Sequence, residues 1–266
     1  MPRRVDRNGV RNTTRAVVAT AGTFIRGRRH PKRRCERAQL LYAVTGLLEV
    51  TTARSMFLIP PLHALWLPAR MDHGLRCRMA SSVRTLLIRA DVVPTDAPGL
   101  PRVVHINPLL RELILRLAMP PTNKAEASHA GRLADIALAE ISWEPDDHLQ
   151  IVLPKDARLR RVHDALTRDP GDNRTLDRWA TTAGASSRTL ARLFHKEYGT
   201  SFVNWRQQLR IIAALPRLAA GEPVITVALD LGYETPSAFT AMFRRITGIL
   251  PSQYFIQHGS GGAPGP

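Results

Sequence analysis

The sequence predicts a two-domain protein whose N-terminal half is made of β-strands and whose C-terminal half is made of α-helices. The chain has 266 residues, enough for two domains that each bury a core. Short β-rich runs separated by turn residues occupy positions 39–89. From Pro108 onward, apolar residues instead recur every three or four positions, which is typical of amphipathic helices.

Composition and charge predict a globular protein that binds a polyanion. Hydrophobic residues make up 44% of the chain and charged residues 23%, which excludes the disordered and fibrous classes. The formal net charge of +16 favours nucleic acid, an acidic membrane or an acidic protein as partner. Residues 1–37 hold 12 Arg or Lys against two acidic residues, a net +10, whereas residues 145–266 hold 15 against 11, a net +4.

The sequence also predicts a cytoplasmic protein without a membrane span. Cys35 and Cys77 form neither a disulfide framework nor a CxxC motif. No apolar run approaches the roughly 18 residues of a transmembrane helix. Ala16–Ile25 is short, rich in threonine and followed by arginines rather than by a cleavage site, so it predicts a first strand and not a signal peptide.

Six β-rich runs predict a small barrel or sandwich in the N-terminal half. Thr45-Gly46 separates the first two runs by two residues, which is the spacing of a hairpin with glycine at a positive φ. The six runs cover residues 39–44, 47–52, 56–60, 63–68, 75–79 and 83–88.

Helices are predicted from Pro108 almost to the C-terminus. Two amphipathic helices come first, joined by a loop over residues 119–130. Thr175 and Ser186 are each predicted to start a helix, and a longer helix runs from about Phe202 to Ala220. Six glycines are predicted to end helices in the left-handed conformation: Gly171, Gly184, Gly199, Gly221, Gly232 and Gly248.

The C-terminal half contains one pattern twice: a short apolar helix, a turn with glycine, and a second helix. Aligning Gly184 with Gly232 brings Phe194 and Phe243 to almost the same offset, where each is predicted to hold the second helix against its neighbours. This is the pattern of a helix-turn-helix, whose second helix enters the DNA major groove. The predicted connecting helix is about 28 Å long at 1.5 Å per residue, close to the roughly 34 Å between successive major grooves.

These residues carry a resemblance to AraC/XylS-type transcription regulators. The segment from about Lys155 to Tyr254 resembles their DNA-binding domain, above all in SSRTLARLFHKEYGTSFVNWRQQLRI and VALDLGYETPSAFTAMFRRITGILPSQY. Residues 23–92 resemble the cupin-like effector domain of such regulators, through AQLLYAVTGLLEV and LWLPARMDHGL. The resemblance implies an N-terminal all-β cupin-like barrel (jelly roll) that senses a ligand or dimerises, and a C-terminal all-α double helix-turn-helix.

The resemblance and the composition together predict five parts of the chain. They are a basic, disordered arm over residues 1–22, a cupin-like effector or dimerisation domain over 23–100, a helical linker over 101–150, an AraC-type DNA-binding domain with two helix-turn-helix units over 151–258, and a disordered tail over 259–266.

Candidate DNA-binding residues lie on the outward side of the two predicted recognition helices. Arg188 and Arg192 are one turn apart, so both can reach guanine O6 and N7, with phosphate contact as the alternative. On the second helix, Ala238 and Ala241 stand where family members carry polar residues, so thymine-methyl contact or backbone anchoring is expected there. The full set is Ser187, Arg188, Thr189, Arg192, His195, Lys196, Ser237, Thr240, Arg244 and Arg245.

Pro216 falls inside the predicted connecting helix. Proline removes a backbone hydrogen bond and clashes with the preceding turn, at a cost of about 3 kcal/mol in an uninterrupted helix. We therefore expect a kink or a break there, which would alter the spacing of the two recognition helices.

In the β half, Gln39, Tyr42, Trp66 and His73 are candidates to line a small-molecule cavity, with ordinary barrel core as the alternative. A cupin-type metal site needs histidines and a carboxylate that converge inside the barrel. Arg33-Arg34-Cys35 stands where a His-x-His pair would fit. The sequence therefore predicts no metal, no cofactor and no catalytic residue.

The predicted function is sequence-specific transcription regulation, without enzymatic activity, through two recognition helices in successive major grooves and under the control of a small molecule. The expected partners are double-stranded promoter DNA and an effector, with RNA polymerase and a second copy of the chain as candidates. Two alternatives remain open. One is a cupin-type metalloenzyme with an appended DNA-binding domain, and the other is an architectural DNA binder without an effector.

Overall fold

A computed structural model describes residues 14–144 and 146–255. The chain divides into two compact units, the first holding residues up to Ala53 and Phe57–Asp147, the second holding Arg54–Met56 and the chain from His148 onward. The predicted tail over residues 259–266 and the first 13 residues of the predicted arm lie outside the described residues.

Ten strands of the described residues form two five-stranded sheets, with the order β1-β8-β3-β6-β9 in the first and β10-β5-β4-β7-β2 in the second. The predicted β-rich N-terminal half is confirmed, but the strands make two open sheets rather than one closed barrel. The strands are β1 (Val17–Phe24), β2 (Arg29–Arg33), β3 (Ala38–Thr45), β4 (Leu48–Thr51), β5 (Ser55–Ile59), β6 (His63–Leu67), β7 (His73–Cys77), β8 (Ser81–Ile88), β9 (Arg102–His105) and β10 (Gln150–Val152).

Strand β1 corrects part of the predicted disordered arm. Residues 17–22 belong to this strand, which pairs with β8 along its whole length from Val17 opposite Ile88 to Phe24 opposite Ser81. The prediction of a strand in Ala16–Ile25 is therefore confirmed, and the prediction of disorder is wrong for these residues. The reason is that β8 offers an open edge whose hydrogen-bonding groups the arm satisfies.

The predicted hairpin at Thr45-Gly46 is wrong. Strand β3 pairs with β6 and β8 in the first sheet, whereas β4 pairs with β7 in the second. Gly46 has the predicted positive φ, 85°, and a Cβ there would lie 2.2 Å from the carbonyl oxygen of Ala80. Glycine is thus required where the chain leaves one sheet for the other, because another backbone segment passes too close for a side chain.

Two helices of the first unit follow β9: α1 (Pro108–Leu117) and α2 (Lys124–Ala139). The second begins inside the predicted loop over residues 119–130, so that loop is shorter than predicted. Asn123 accepts a hydrogen bond from the Glu126 amide at 2.9 Å, and Glu126 accepts one from the Thr122 amide at 2.7 Å. This reciprocal capping starts the helix before its apolar repeat begins.

Both helices cover one face of the first sheet. Their Leu110, Ile114 and Ala137 share one buried cluster with Leu40 and Ile88 of the sheet. The segment predicted as a helical linker over residues 101–150 therefore contains β9 as well as two helices that pack on the β-sheet. The opposite face of β3, which carries Gln39 and Leu41, is also buried, so this sheet is covered on both sides.

The described residues of the second unit contain six α-helices, and the predicted helical C-terminal half is confirmed. The N-caps predicted at Thr175 and Ser186 are present, since each side chain accepts a hydrogen bond from the amide three residues on. The helices are α3 (Ala157–Arg168), α4 (Leu176–Ala183), α5 (Ser187–Tyr198), α6 (Phe202–Ala219), α7 (Val224–Asp230) and α8 (Pro236–Thr247).

The connecting helix α6 is a single helix that runs through Pro216 to Ala219, so the predicted break at the proline does not occur. Pro216 lies in the last turn of the helix. Only the hydrogen bond that its own nitrogen would donate is lost, and few residues remain beyond it to be displaced. The helix continues because the residues around the proline, Ala214, Leu215 and Leu218, are buried in the core.

Five of the six predicted helix-ending glycines have a positive φ, and Gly171 is the exception. Gly171 serves a different purpose, because a Cβ there would lie 2.4 Å from the carbonyl oxygen of Asp230. Gly232 is the opposite partner of this contact: its φ is 77°, and its Cβ would lie 2.2 Å from the carbonyl oxygen of Gly171. The two backbones therefore touch at a point where neither can carry a side chain.

A buried histidine lies in the aromatic core of the second unit. The Nδ1 atom of His163 is 3.0 Å from the hydroxyl of Tyr198, and its ring centroid is 5.7 Å from that of Trp205. Burial lowers the pKa of His163 below its ordinary value; the neighbouring Asp164 carboxylate acts in the opposite direction and Arg160 in the same direction. The folded unit therefore favours the neutral imidazole.

None of the helices in the described part of the chain has the length and the apolar content that spanning a membrane would require.

Replacing Gly232 by alanine is expected to destabilise the second unit far more than replacing Gly248. Their φ angles are 77° and 76°, so the left-handed backbone costs both variants a similar 1–2 kcal/mol. Only the methyl group at position 232 meets backbone, since nothing lies within 4 Å of a Cβ at Gly248. We expect Gly232→Ala to cost about 1–3 kcal/mol more in urea unfolding. Equal losses would contradict the close contact with Gly171.

His163 is expected to make the folded chain less stable at acidic pH. The unfolded chain takes up a proton at His163 below pH of about 6.5, whereas the folded chain does so only at lower pH. Its contribution to stability is therefore present above that pH and is lost as the pH falls. Unfolding free energies measured between pH 7 and 5 should decline less steeply for His163→Gln, by up to about 1.4 kcal/mol per pH unit. An equally steep decline for His163→Gln and the wild type would contradict this role of His163.

Candidate nucleic-acid interface

Helix α5 has one face committed to the core and one face in solvent. Ser186 caps its start by accepting a hydrogen bond from the Thr189 amide at 3.2 Å. Leu190, Leu193 and Phe194 are buried, as predicted for Phe194. The residues that alternate with them at helical spacing are exposed: Arg188, Arg192, His195 and Lys196.

Arg188 and Arg192 are the most available hydrogen-bond donors of this face. They are four residues apart, so their side chains leave the helix on the same side. Within residues 14–144 and 146–255, neither guanidinium has a hydrogen bond or an ion pair. Both are therefore free to form the bidentate contacts that guanidinium makes with guanine or with phosphate.

Ser187 and Thr189 are engaged in interactions at the start of the helix. The hydroxyl of Ser187 donates to the carboxylate of Asp177 in α4. The hydroxyl of Thr189 lies 2.9 Å from that of Ser186 and takes part in the cap. These two side chains stabilise the turn between α4 and α5, and the structure thus separates them from the four exposed candidates.

Helix α8 repeats this arrangement, but its outer face carries mostly small, uncharged residues. Thr235 caps it by accepting from the Ala238 amide at 3.2 Å, and Phe239, Met242 and Phe243 form its buried side. The outer face carries Ser237, Ala238, Ala241 and Arg244, which are exposed, and Thr240, which is half-buried. Its only exposed cations are at its C-terminal end.

The two predicted phosphate ligands of α8 differ in their surroundings. Arg245 donates from Nη2 to Oε1 of Gln207 in α6 at 2.7 Å, so it braces α8 against the connecting helix. Arg244 has no such partner among the described residues. Arg244 is therefore the more available of the two for an external anion.

A buried arginine joins the two helix-turn-helix units. Arg210 of α6 is only 5% exposed; its Nε donates to the Pro170 carbonyl at 2.9 Å, and its Nη2 donates to Oδ1 of Asn173 at 2.8 Å. Asn173 in turn donates to the carbonyl of Gly232 at 2.6 Å. The guanidinium carbon also lies 5.0 Å from the ring centroid of Tyr233.

This bridge links the loop before α4 to the turn before α8 through the connecting helix. This bridge was not predicted from the sequence, although Arg210 is a single charge within the apolar stretch Leu209–Leu215 of the connecting helix. A lone charge at a buried helical position indicates a paired, structural group. A second arginine, Arg217, holds α7 against the end of α6, with hydrogen bonds of 2.7 Å to Glu222 and 2.6 Å to Asp230.

The four predicted effector-binding residues are all buried, but the structure does not bring them together. Tyr42 and Trp66 lie in the cluster under α1 and α2. Gln39 lies on the opposite face of β3, since side chains alternate along a strand. His73 belongs to the second sheet.

Trp66 and His73 have hydrogen-bond partners in the fold. The indole nitrogen of Trp66 donates to the Pro98 carbonyl at 2.8 Å. Burial lowers the pKa of His73, so the ring is held neutral. Its Nε2 accepts from Arg33 at 3.4 Å, and its Nδ1 lies 3.0 Å from the Met71 carbonyl. Trp66 and His73 therefore both have polar contacts within the fold.

Possible metal ligands are scattered over the described residues. No group of three or more His, Cys, Asp or Glu in residues 14–144 and 146–255 is placed to hold a metal ion. Burial raises the pKa of the Cys77 thiol to about 11, so this cysteine stays protonated and is a poor ligand.

Comparison with known proteins assigns the chain to a family. A helix-turn-helix domain family matches residues 179–257. The HTH-type transcriptional regulator NimR of Escherichia coli K12 is 32% identical over 227 residues, which cover 85% of this chain and 82% of NimR. The HTH-type transcriptional regulator RipA of Corynebacterium glutamicum is 37% identical over 115 residues, 42% of this chain and 35% of RipA. The arabinose operon regulatory protein of E. coli K12 is 28% identical over 103 residues, 38% of this chain and 35% of that protein.

The match to NimR is longer than either compact unit, so the relationship includes residues of both. In two helix pairs of the second unit, the capped second helices α5 and α8 present outward faces, as DNA recognition requires. The chain therefore belongs to the AraC-type family of DNA-binding transcriptional regulators.

Proposed function

We propose that this regulator binds promoter DNA by placing α5 and α8 in successive major grooves of one duplex. The observation that supports this most directly is the bridge from Arg210 through Asn173 to Gly232, which connects both helix-turn-helix units to α6. A fixed connection keeps the two recognition helices at one separation. The 18 residues of α6 span about 27 Å, and successive grooves lie roughly 34 Å apart.

The two recognition helices have different roles in this proposal. Arg188 and Arg192 of α5 read bases, because their guanidinium groups are exposed and unpaired among the described residues. His195, Lys196 and Arg244 contact phosphates. Ser187, Thr189 and Arg245 position the helices through hydrogen bonds inside the protein. The outer face of α8, with Ser237 and Thr240 as its polar groups, anchors the second groove with little sequence preference.

The N-terminal unit is the regulatory part in this proposal. Its two open antiparallel sheets support the proposal of a cupin-like double-sheet domain, in which a ligand would lie between the sheets. Gln39 and His73 are buried polar residues that can mark such a site, 2% and 1% exposed. Tyr42 and Trp66, which lie under α1 and α2, would act only by supporting the first sheet.

Several finer expectations remain predictions. They are the division into an effector domain over residues 23–100, a linker over 101–150 and a DNA-binding domain over 151–258, contact with RNA polymerase, a homodimer, a cytoplasmic location and the lack of enzymatic activity.

Selection of bound fragments from random DNA by the purified full chain tests the two-groove arrangement. We expect one enriched site with two blocks of preferred bases, centred one helical turn or about 10 base pairs apart. The block contacted by α5 should be more strongly preferred than the block contacted by α8. A single block, or two blocks at variable spacing, would show that the units bind independently.

Arg192→Ala and Arg192→Lys distinguish base reading from phosphate contact. If Arg192 reads a guanine, both variants should lose about 1–3 kcal/mol of preference at one position of the site, because lysine lacks the bidentate geometry. If the residue only contacts phosphate, lysine should largely restore affinity and the preference should stay unchanged. The measurement is competition between the selected site and single-base variants. The corresponding variants Arg188→Ala and Arg188→Lys test in the same way whether Arg188 reads a base of the site.

A further inference from the structure

The strongest feature outside the helix-turn-helix units is an excess of cations on the second sheet. Strand β7 lies between β4 and β2, and the register places Arg76 directly opposite Arg29 on one side and Glu49 on the other. Directly opposite residues of antiparallel strands have Cβ atoms about 5 Å apart, and like charges there are unfavourable. The sheet therefore carries two arginines opposite each other and one carboxylate, that of Glu49, opposite Arg76.

The hydrogen bonds of this carboxylate go to a third arginine and not to this pair. Glu49 accepts a hydrogen bond of 2.6 Å from Nε of Arg78 and forms an ion pair with the same guanidinium. The Nε atom of Arg76 is buried and has no hydrogen-bond partner among the described residues. Arg29 is exposed, and it too has neither hydrogen bond nor ion pair within residues 14–144 and 146–255.

These cations share the outward side of the sheet. His73, Leu75 and Cys77 are buried on one side of β7, so alternation places Arg76 on the other. The side chain of Lys32 reaches the same side, since its Cγ lies 3.8 Å from the position of a Cβ on Gly74. We call Arg29, Lys32, Arg76 and Arg78 the basic face.

Protection of a sheet edge does not account for the basic face. Charged residues on an edge strand such as β2 hinder pairing with other chains, which explains Arg29 and Lys32. Arg76 and Arg78 lie on β7 or directly after it, and that strand is already paired on both sides. The charges of Arg76 and Arg78 are therefore not needed to prevent pairing with another chain.

We propose that the basic face is a second DNA-contacting surface, which binds phosphates of the duplex held by the helix-turn-helix units. Guanidinium and ammonium groups are the usual phosphate ligands, and phosphate contacts need no particular sequence. The family function supplies the polyanion, because the chain binds DNA, and covalent linkage raises the local concentration of a bound duplex for the rest of the chain. Arg29 and Lys32, which belong to the basic segment of residues 1–37, then contribute to affinity for DNA.

The test compares two double variants of the full chain that lose the same charge. Arg29→Gln with Lys32→Gln removes two exposed cations of the basic face. Lys124→Gln with Arg132→Gln removes two exposed cations of α2 in the same unit. Binding to the selected site, carried on a duplex extended by several helical turns on each side, is measured over a series of salt concentrations. Equal unfolding midpoints confirm that both variants fold.

The basic-face variant should lower the slope of log affinity against log salt by about 0.9 for each phosphate contact removed, and the α2 variant should leave it unchanged. The single variant Arg76→Gln should also lower this slope. An unchanged slope for the basic-face variant, or equal changes in both double variants, would overturn the proposal; the first result would favour an acidic protein partner. Base preference at the selected site stays intact in either case, so failure here is distinguishable from failure of the helix-turn-helix proposal.

Discussion

The arrangement of the second unit depends on one buried guanidinium. Arg210 is almost completely removed from water, and a buried charge is costly unless its donors are paired. Its partners, the Pro170 carbonyl and the Asn173 side chain, lie in the loop before the first helix-turn-helix, and Asn173 continues to Gly232 in the second. The hydrogen bonds of Arg210 and Asn173 therefore form only when both helix-turn-helix units are in place. The contact between Gly171 and Gly232 beside it leaves no room for side chains.

The recognition helices divide their residues between folding and binding. In α5 the buried face consists of Leu190, Leu193 and Phe194, which leaves Arg188 and Arg192 without any role in the core. In α8 the exposed positions are mostly small, and Arg245 is used to brace the helix. Helix α5, whose arginines have no partner among the described residues, can discriminate bases. Helix α8, whose exposed residues are mostly small, can fit a groove closely. This asymmetry follows from which side chains have partners inside the protein.

Charge and recognition are distributed differently along the chain. Residues 145–266 carry a net +4, whereas residues 1–37 carry a net +10. In the second sheet, Arg29 of this basic segment lies opposite Arg76, and the nearby Glu49 is paired to Arg78. Long-range attraction to DNA and base discrimination can thus reside in different units. Such a division would let regulation of the first compact unit change the affinity for DNA without changing the sequence preference of the second.

The sequence by itself determined the elements whose signals are local. The strands between residues 38 and 88, the caps at Thr175 and Ser186 and the exposed arginines of α5 all follow from nearby residues through periodicity, capping and helical spacing. Only the tertiary structure decided that Thr45-Gly46 joins two sheets, that Gly171 serves a close backbone contact, and that Tyr42 lies under helices. It likewise decided which candidates, such as Ser187 and Arg245, already have partners. These outcomes depend on groups far away in sequence, and no local pattern specifies which distant group will be adjacent.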